Sequence, residues 1–236
     1  DIYCVKDKKL YFLEKTNLKL VGVGNEKFSE KYLKCDTKKN INYKEKYYSE
    51  LAFHYWYWQN ILPNEKQDWI GFCQKRRFWI NPEKDQNLIT SENLNEFLLS
   101  EIDDKLSKSE SFICSPINLT GVKKMKMIKR GWKNLIKDPN IFFNNQKHTI
   151  ALHFDMHHGY NNLNKAINLL DRENKKDFFD FVNNKTYFNP NIMCISRPDV
   201  LERWFKSLFS WLERCESEFG FNNLKGYDTQ RLYAYL

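Results

Sequence analysis

Apolar positions along the chain fall into short continuous runs separated by longer stretches of helical spacing. Asp1–Val5 (DIYCV) and Lys19–Val23 (KLVGV) read as two strands with a short Leu/Phe-bearing segment between them, a β–α–β spacing. Gly22 and Gly24 flank the second strand, but no GxGxxG follows, so a dinucleotide fold is not indicated. From Tyr48 to Ile61 no Gly or Pro intervenes. Leu51, Tyr55 and Trp58 recur there at helical intervals, Ser49 stands where a cap belongs, and Pro63-Asn64 ends the element. Trp69–Cys73 reads as a buried strand. Leu94, Leu98, Ile102 and Leu106 step by four and predict an amphipathic helix, and Phe112–Cys114 a strand stopped by Pro116.

Further on, Lys147–Asn162 forms one element closed by Gly159, and Leu163, Ala166, Ile167 and Leu170 begin a helix. Phe178–Val182 supplies a helical turn or two and Ile192–Ile195 a buried strand. The clearest helix carries Leu201, Phe205, Leu208, Leu212, Cys215 and Phe219, with Ser196 as cap, Pro198 just inside, and Gly220 closing it. A last helix from near Asp228 still runs at Leu236, which suggests a longer protein. Strands alternating with helices predict an α/β layered sheet flanked by helices. No repeat or clear boundary divides it, so a single domain over 1–236 is expected, with 116–146 as a basic surface insertion.

With 42% hydrophobic and 16% aromatic residues the chain can bury a substantial core, which excludes a disordered segment. No apolar run nears the roughly 20 residues that span a bilayer, and no signal peptide opens the chain. Six cysteines without a CxxC pair suggest reduced thiols, a cytoplasmic setting and no structural zinc.

Charge changes this picture in one place. Lys123, Lys124, Lys126, Lys129, Arg130, Lys133 and Lys137 follow one another with no acid among them, seven cations that account for all but one of the net +8. Such a patch either meets a polyanion or an anionic membrane surface, or is a solvated face. Met125, Ile128, Trp132, Leu135 and Ile136 lie at helical spacing within it, a stripe that would serve equally to meet lipid or to pack on the domain.

Two constellations carry chemistry. The Trp69–Cys73 strand discharges directly into Gln74-Lys75-Arg76-Arg77. In open α/β sheets ligands bind beyond the carboxyl ends of strands, and guanidinium forks match phosphate oxygens. Arg76 and Arg77 therefore suit a diphosphate, or else they pair with carboxylates such as Glu50 and brace the preceding helix. The second constellation is His153, Asp155, His157 and His158. On a helix His153 shares a face with His157, whereas in an extended chain His153, Asp155 and His157 share one. Either arrangement could hold a divalent ion or an acid–base pair, and the alternative is surface histidines with one bonded in the core.

The stretches YYSELAFHYWYWQN, DWIGFCQKRRFW, HFDMHHG, FNPNIMCISRP, LFSWLERCESEFGF and GYDTQRLYAYL resemble, in order, blocks of domain-of-unknown-function family 4422. That resemblance implies a GT-A-type glycosyltransferase of bacterial capsule or lipopolysaccharide synthesis. It would move a sugar from a nucleotide-diphosphate donor to a surface glycan acceptor, at the cytoplasmic side and peripherally at the inner membrane. Arg76, Arg77, Phe154, Asp155, His158, Asn189, Pro190 and Arg231 match the family pattern. Lys75 stands where the family often has Tyr, and His153 where it tends to have Gln. The resemblance implies Asp155 and His158 as acid–base groups, Arg76 and Arg77 with Lys75 and Glu50 at the donor diphosphate, and Asn189, Arg231 and His153 toward the acceptor. Asp155-Met156-His157 is the nearest equivalent of a metal-binding Asp-x-Asp, so a Mn or Mg ion at Asp155 and His157 is an open expectation. Two rivals are a metal-dependent hydrolase built on the histidines and a basic nucleic-acid binder. The aromatics recur at helix-core spacing rather than among cations on strands, which disfavours the second.

Overall fold

The computed structural model describes residues 1–100, 102, 108–222 and 230–236. They form two compact units, Asp1–Cys114 with Asn191–Lys206, and Ser115–Pro190 with Ser207–Leu236.

The first unit is built on a six-stranded sheet in the order β3-β2-β1-β4-β8-β5. Its strands are β1 (Ile2–Lys6), β2 (Lys19–Gly22), β3 (Leu33–Lys34), β4 (Ile70–Cys73), β5 (Ser111–Ile113) and β8 (Cys194–Ser196). β1 pairs in parallel with β2 and β4, and β2 with β3, whereas β8 runs antiparallel to both β4 and β5. Five strands thus point one way and β8 the other, the mixed α/β architecture expected from the alternation. β4 is buried throughout and β1 along its last four positions, as covered strands of a parallel sheet are.

Neighbouring residues serve opposite faces of this sheet. Tyr3 and Phe72 meet helix α2 (Leu51–Asn60), with Tyr3 5.1 Å from Tyr57 and 5.4 Å from Phe53 between ring centroids. On the other face Cys4 and Cys73 join Leu13, Leu20, Tyr32, Leu94 and Met193 in a second core layer.

The long helix expected from Tyr48 is broken. A short helix α1 (Glu45–Tyr48) stops at Ser49, which has φ 53°, and α2 begins afterwards. Ser49 therefore ends α1, its amide donating to the Glu45 carbonyl, rather than starting α2, and its hydroxyl donates to the Glu50 carboxylate. The deep face of α2 carries Phe53, His54 and Tyr57, whereas Tyr55 and Trp58 are only half-buried. Of the helix expected from Leu94, the described residues show α3 (Leu94–Phe97). Leu98 is already extended and bridges Ile80, and Leu106 lies outside the described residues.

The second unit is mainly helical: α4 (Lys124–Lys137), α5 (Ile150–His158), α6 (Asn162–Asn168), α7 (Arg172–Asn184) and α9 (Leu232–Tyr235), with a small ladder of β6 (Ile117–Asn118) and β7 (Tyr187–Phe188). Ile150, Phe154, Leu163, Ile167, Val182 and Leu232 make its core. α7 runs 13 residues rather than a turn or two, because most of it is surface helix whose polar positions gave no apolar period. The 22-residue α8 (Pro198–Phe219) supplies its first half to one unit and its second half to the other. Gly220, at φ 61°, closes it. Ser196 is not its cap: it lies in β8, and its hydroxyl donates to the Glu110 carbonyl. Trp211 and Arg214 of α8 donate to the Ala166 and Leu169 carbonyls at the end of α6, each at 2.7 Å. Asp228, where a last helix was expected to start, lies outside the described residues. All six cysteines are free, five of them buried. Among the described residues no helix is long and apolar enough to cross a membrane.

Candidate functional site

In the order β3-β2-β1-β4 the chain winds outward from β1 in both directions, so β1 and β4 flank a topological switch point. Their carboxyl ends carry Lys6-Asp7 and Gln74-Lys75-Arg76-Arg77. After Cys73 the backbone turns at once, with Gln74 and Arg77 closing a tight turn that places Lys75 and Arg76 at its tip.

The carboxylates at this end select among the cations. Lys75 Nζ lies 2.9 Å from Asp7 and 2.7 Å from Glu45, and these bonds outweigh burial to hold its ammonium above the usual range. Glu50 is buried and accepts from the Lys75 amide at 3.2 Å and from Ser49. Burial alone would raise the Glu50 carboxyl, but those hydrogen bonds prevail and keep it low. Bracing by carboxylates, the alternative expected for Arg76 and Arg77, falls instead on Lys75. Arg77 donates to the Gln74 side chain at 3.1 Å, and Arg76 has no hydrogen bond or ion pair among the described residues. Both arginines are exposed on the rim of a cleft of about 500 Å³. Phe12, Phe78, Trp79 and Ile89 give this cleft an apolar wall, and Thr90 and Ser91 add hydroxyls.

Lys6 was not singled out from the sequence. Only 2% exposed, it donates to the Lys75 carbonyl and lies 4.6 Å from the centre of the Phe78 ring. The signal was available: a cation ends the DIYCV run, and buried lysines are rare without a reason. Asp7 and Glu45 were missed too, since nothing in the sequence shows that they converge on Lys75.

The histidine stretch is helical. Thr149 caps α5 through the Leu152 amide, and Gly159, at φ 100°, ends it. His153 and His157 share a face with ring centroids 4.5 Å apart, and His157 Nδ1 bonds the His153 carbonyl at 2.8 Å. Burial and then the neighbouring His157 press the His153 imidazole down to about 4. His158 is buried against Tyr235 of α9 at 4.0 Å and Phe154 at 4.8 Å. Asp155 points elsewhere, as helical spacing requires. Its two oxygens accept from Asn134 of α4 at 3.1 Å and from the Asn161 amide at 2.8 Å, and burial raises its carboxyl. Among the described residues no three His, Cys, Asp or Glu side chains converge as metal ligands, and Asp155 and His157, two positions apart on α5, turn to different sides of the helix. Asn189 follows β7, half-buried, and Arg231 is exposed just ahead of α9.

The six-stranded, mostly parallel sheet between helices is a glycosyltransferase-like fold. The apo structure of the WbbM bifunctional glycosyltransferase matches all of this chain with a TM-score of 0.66 at 17% identity. The chain spans 40% of that protein. The family model for a domain of unknown function, DUF4422, matches residues 1–236, and the chain belongs to that family. No curated protein matches it in sequence.

Proposed function

We propose that the protein is a glycosyltransferase that takes a sugar from a nucleoside-diphosphate donor and adds it to a glycan acceptor of a bacterial surface polysaccharide, a capsule or lipopolysaccharide. The observation that carries this reading is the pair of exposed arginines at the carboxyl end of β4, beside the switch point and on the rim of the cleft. Leaving of a diphosphate builds negative charge, and pre-placed guanidinium forks lower that cost because they need not reorganise. Lys75 cannot share this task fully, because Asp7 and Glu45 already offset its charge. The apolar wall of Phe12, Phe78 and Trp79 suits the flat or ring parts of a donor and keeps water away from it. We assign the neutralising role to the arginines, and a divalent ion that shared it would arrive with the donor's phosphates.

A thermal-shift series with nucleoside diphosphates, their parent nucleosides and inorganic phosphate, each with and without Mn²⁺, tests the reading. A nucleoside diphosphate should raise the midpoint and its nucleoside should not. Arg76→Ala and Arg77→Ala should each weaken diphosphate binding by about 1.5–3 kcal/mol, the range for hydrogen bonds to charged groups. Unchanged binding in both variants would remove the turn from the donor site.

A further inference from the structure

The two faces of α4 are unlike each other in a way that identifies a partner. Inward, Met127 and Gly131 are buried against α5, and a Cβ at Gly131 would come 3.2 Å from Met156, so this side is committed to the body of its unit. Outward, Met125, Ile128, Trp132 and Ile136 are 62%, 44%, 51% and 72% exposed. Gly131, at φ −107° and ψ 15°, kinks α4, so Met125 and Ile128 lie before the kink and Trp132 and Ile136 after it, and the exposed Lys124, Lys129, Lys133 and Lys137 accompany them. Of the apolar stripe read from the sequence, only Leu135 is drawn partly into the body, where it packs on the Met127 cluster. Phe143, just past this helix, is 80% exposed.

We infer that the outward face of α4 docks on an anionic lipid surface, lying parallel to it with the Met125–Ile128–Trp132–Ile136 stripe in the headgroup layer. A helix with an apolar stripe bordered by lysines gains from both burial and attraction to anionic headgroups. Trp132 sits mid-stripe, and an indole is at home at that depth. A nucleic acid would engage the lysines and leave Met125, Ile128 and Ile136 in water. A second copy docked by two-fold symmetry would set α4 against α4 and its cations against like charges. Both are less suited to this surface than a layer of anionic lipid. The inference reaches beyond the donor chemistry and does not depend on it.

The test is sedimentation of the whole protein with vesicles of phosphatidylcholine alone and of phosphatidylcholine mixed with phosphatidylglycerol. Wild type should pellet with the mixed vesicles only, and less as salt rises. The combined variant K124E/K129E/K133E should lose at least about 10²-fold in partitioning, about fivefold for each lysine removed. Trp132→Ser with Ile136→Ser should lose at least about tenfold through the apolar contribution alone. All substituted positions are exposed, and matching melting midpoints check that each variant is folded. Wild type left in the supernatant at low salt overturns the inference, as does unaltered binding of either variant. Tight binding of RNA that ignores the serine variant, without vesicle binding, would assign the face to nucleic acid instead. A wild-type dimer that the serine variant dissociates would assign it to a second copy.

Discussion

At the scale of single residues, buried ionisable groups define where this protein is sensitive. His54 lies in the first unit among Phe72, Phe205 and Phe53, with ring centroids 4.5, 5.8 and 6.4 Å away. Its Nδ1 has no hydrogen-bond partner among the described residues, and burial lowers the imidazole from 6.5 to about 4. The folded state keeps His54 neutral while the unfolded chain takes up a proton below 6.5, so stability falls as pH drops from 6.5 toward 4. At about 1.4 kcal/mol per pH unit the loss is on the order of 3 kcal/mol. His54→Leu removes both the titration and the unpaired nitrogen. Denaturant melts across this pH range should show a flatter acid limb in the variant, and an unchanged limb would place the acid sensitivity elsewhere. His54 was passed over in the sequence because its ring is flanked by aromatics in a helix. Burial of that helix face is set by what packs on it, and neither Phe72 nor Phe205 is near in sequence.

At the scale of elements, Asp155 joins three helices: it sits on α5, accepts from Asn134 of α4, and holds the Asn161 amide at the start of α6. Asn161 has φ 65°, so its peptide is fixed in a conformation that this hydrogen bond supports. Asp155→Ala leaves a donor unpaired and should cost about 1–3 kcal/mol. Asp155→Asn keeps an acceptor for Asn161 and should cost less. Should Asp155 also take the acceptor's proton, as the family resemblance implies, the Asn variant would lose at least ~10² in transfer rate while keeping its midpoint. Equal midpoints for wild type and Asp155→Ala would disprove the structural role. Histidine spacing in the sequence left helix and strand open, and α5 resolves it in favour of the helix. Gly159, the stop, was legible there, whereas the cap, Thr149, was not singled out. The α2 boundary was not, since Ser49 looks like a cap until its positive φ and its bond to Glu50 are seen.

For the molecule as a whole, two cores and five buried thiols out of six make the redox behaviour a check on the packing. In the native state only the partly exposed Cys114 should react promptly with an aromatic disulfide reagent, and denaturant should release all six thiols. Fewer than six on denaturation would reveal a disulfide. More than one reacting promptly would show that the strands carrying Cys4, Cys73 and Cys194 open easily.

The sequence alone settled the α/β class, because apolar runs of strand length alternate with 3.6-residue periods and each period needs only local information. It also identified the cationic segment at 123–137 and the arginine turn after β4, both being contiguous in the chain. The reversed direction of β8, the convergence of Asp7 and Glu45 on Lys75, and the burial of Lys6 depended on residues far apart in the chain meeting in space, Ile70 with Ser196 and Lys6 with Lys75 among them. Which side of α4 is buried was likewise a tertiary matter. Met127 and Gly131 face α5 because Met156 and Leu152 fit closely there, and that choice leaves the Trp132 stripe outside. Periodicity shows that a helix has an apolar face, but only close packing against a particular neighbour decides which apolar residues go inward.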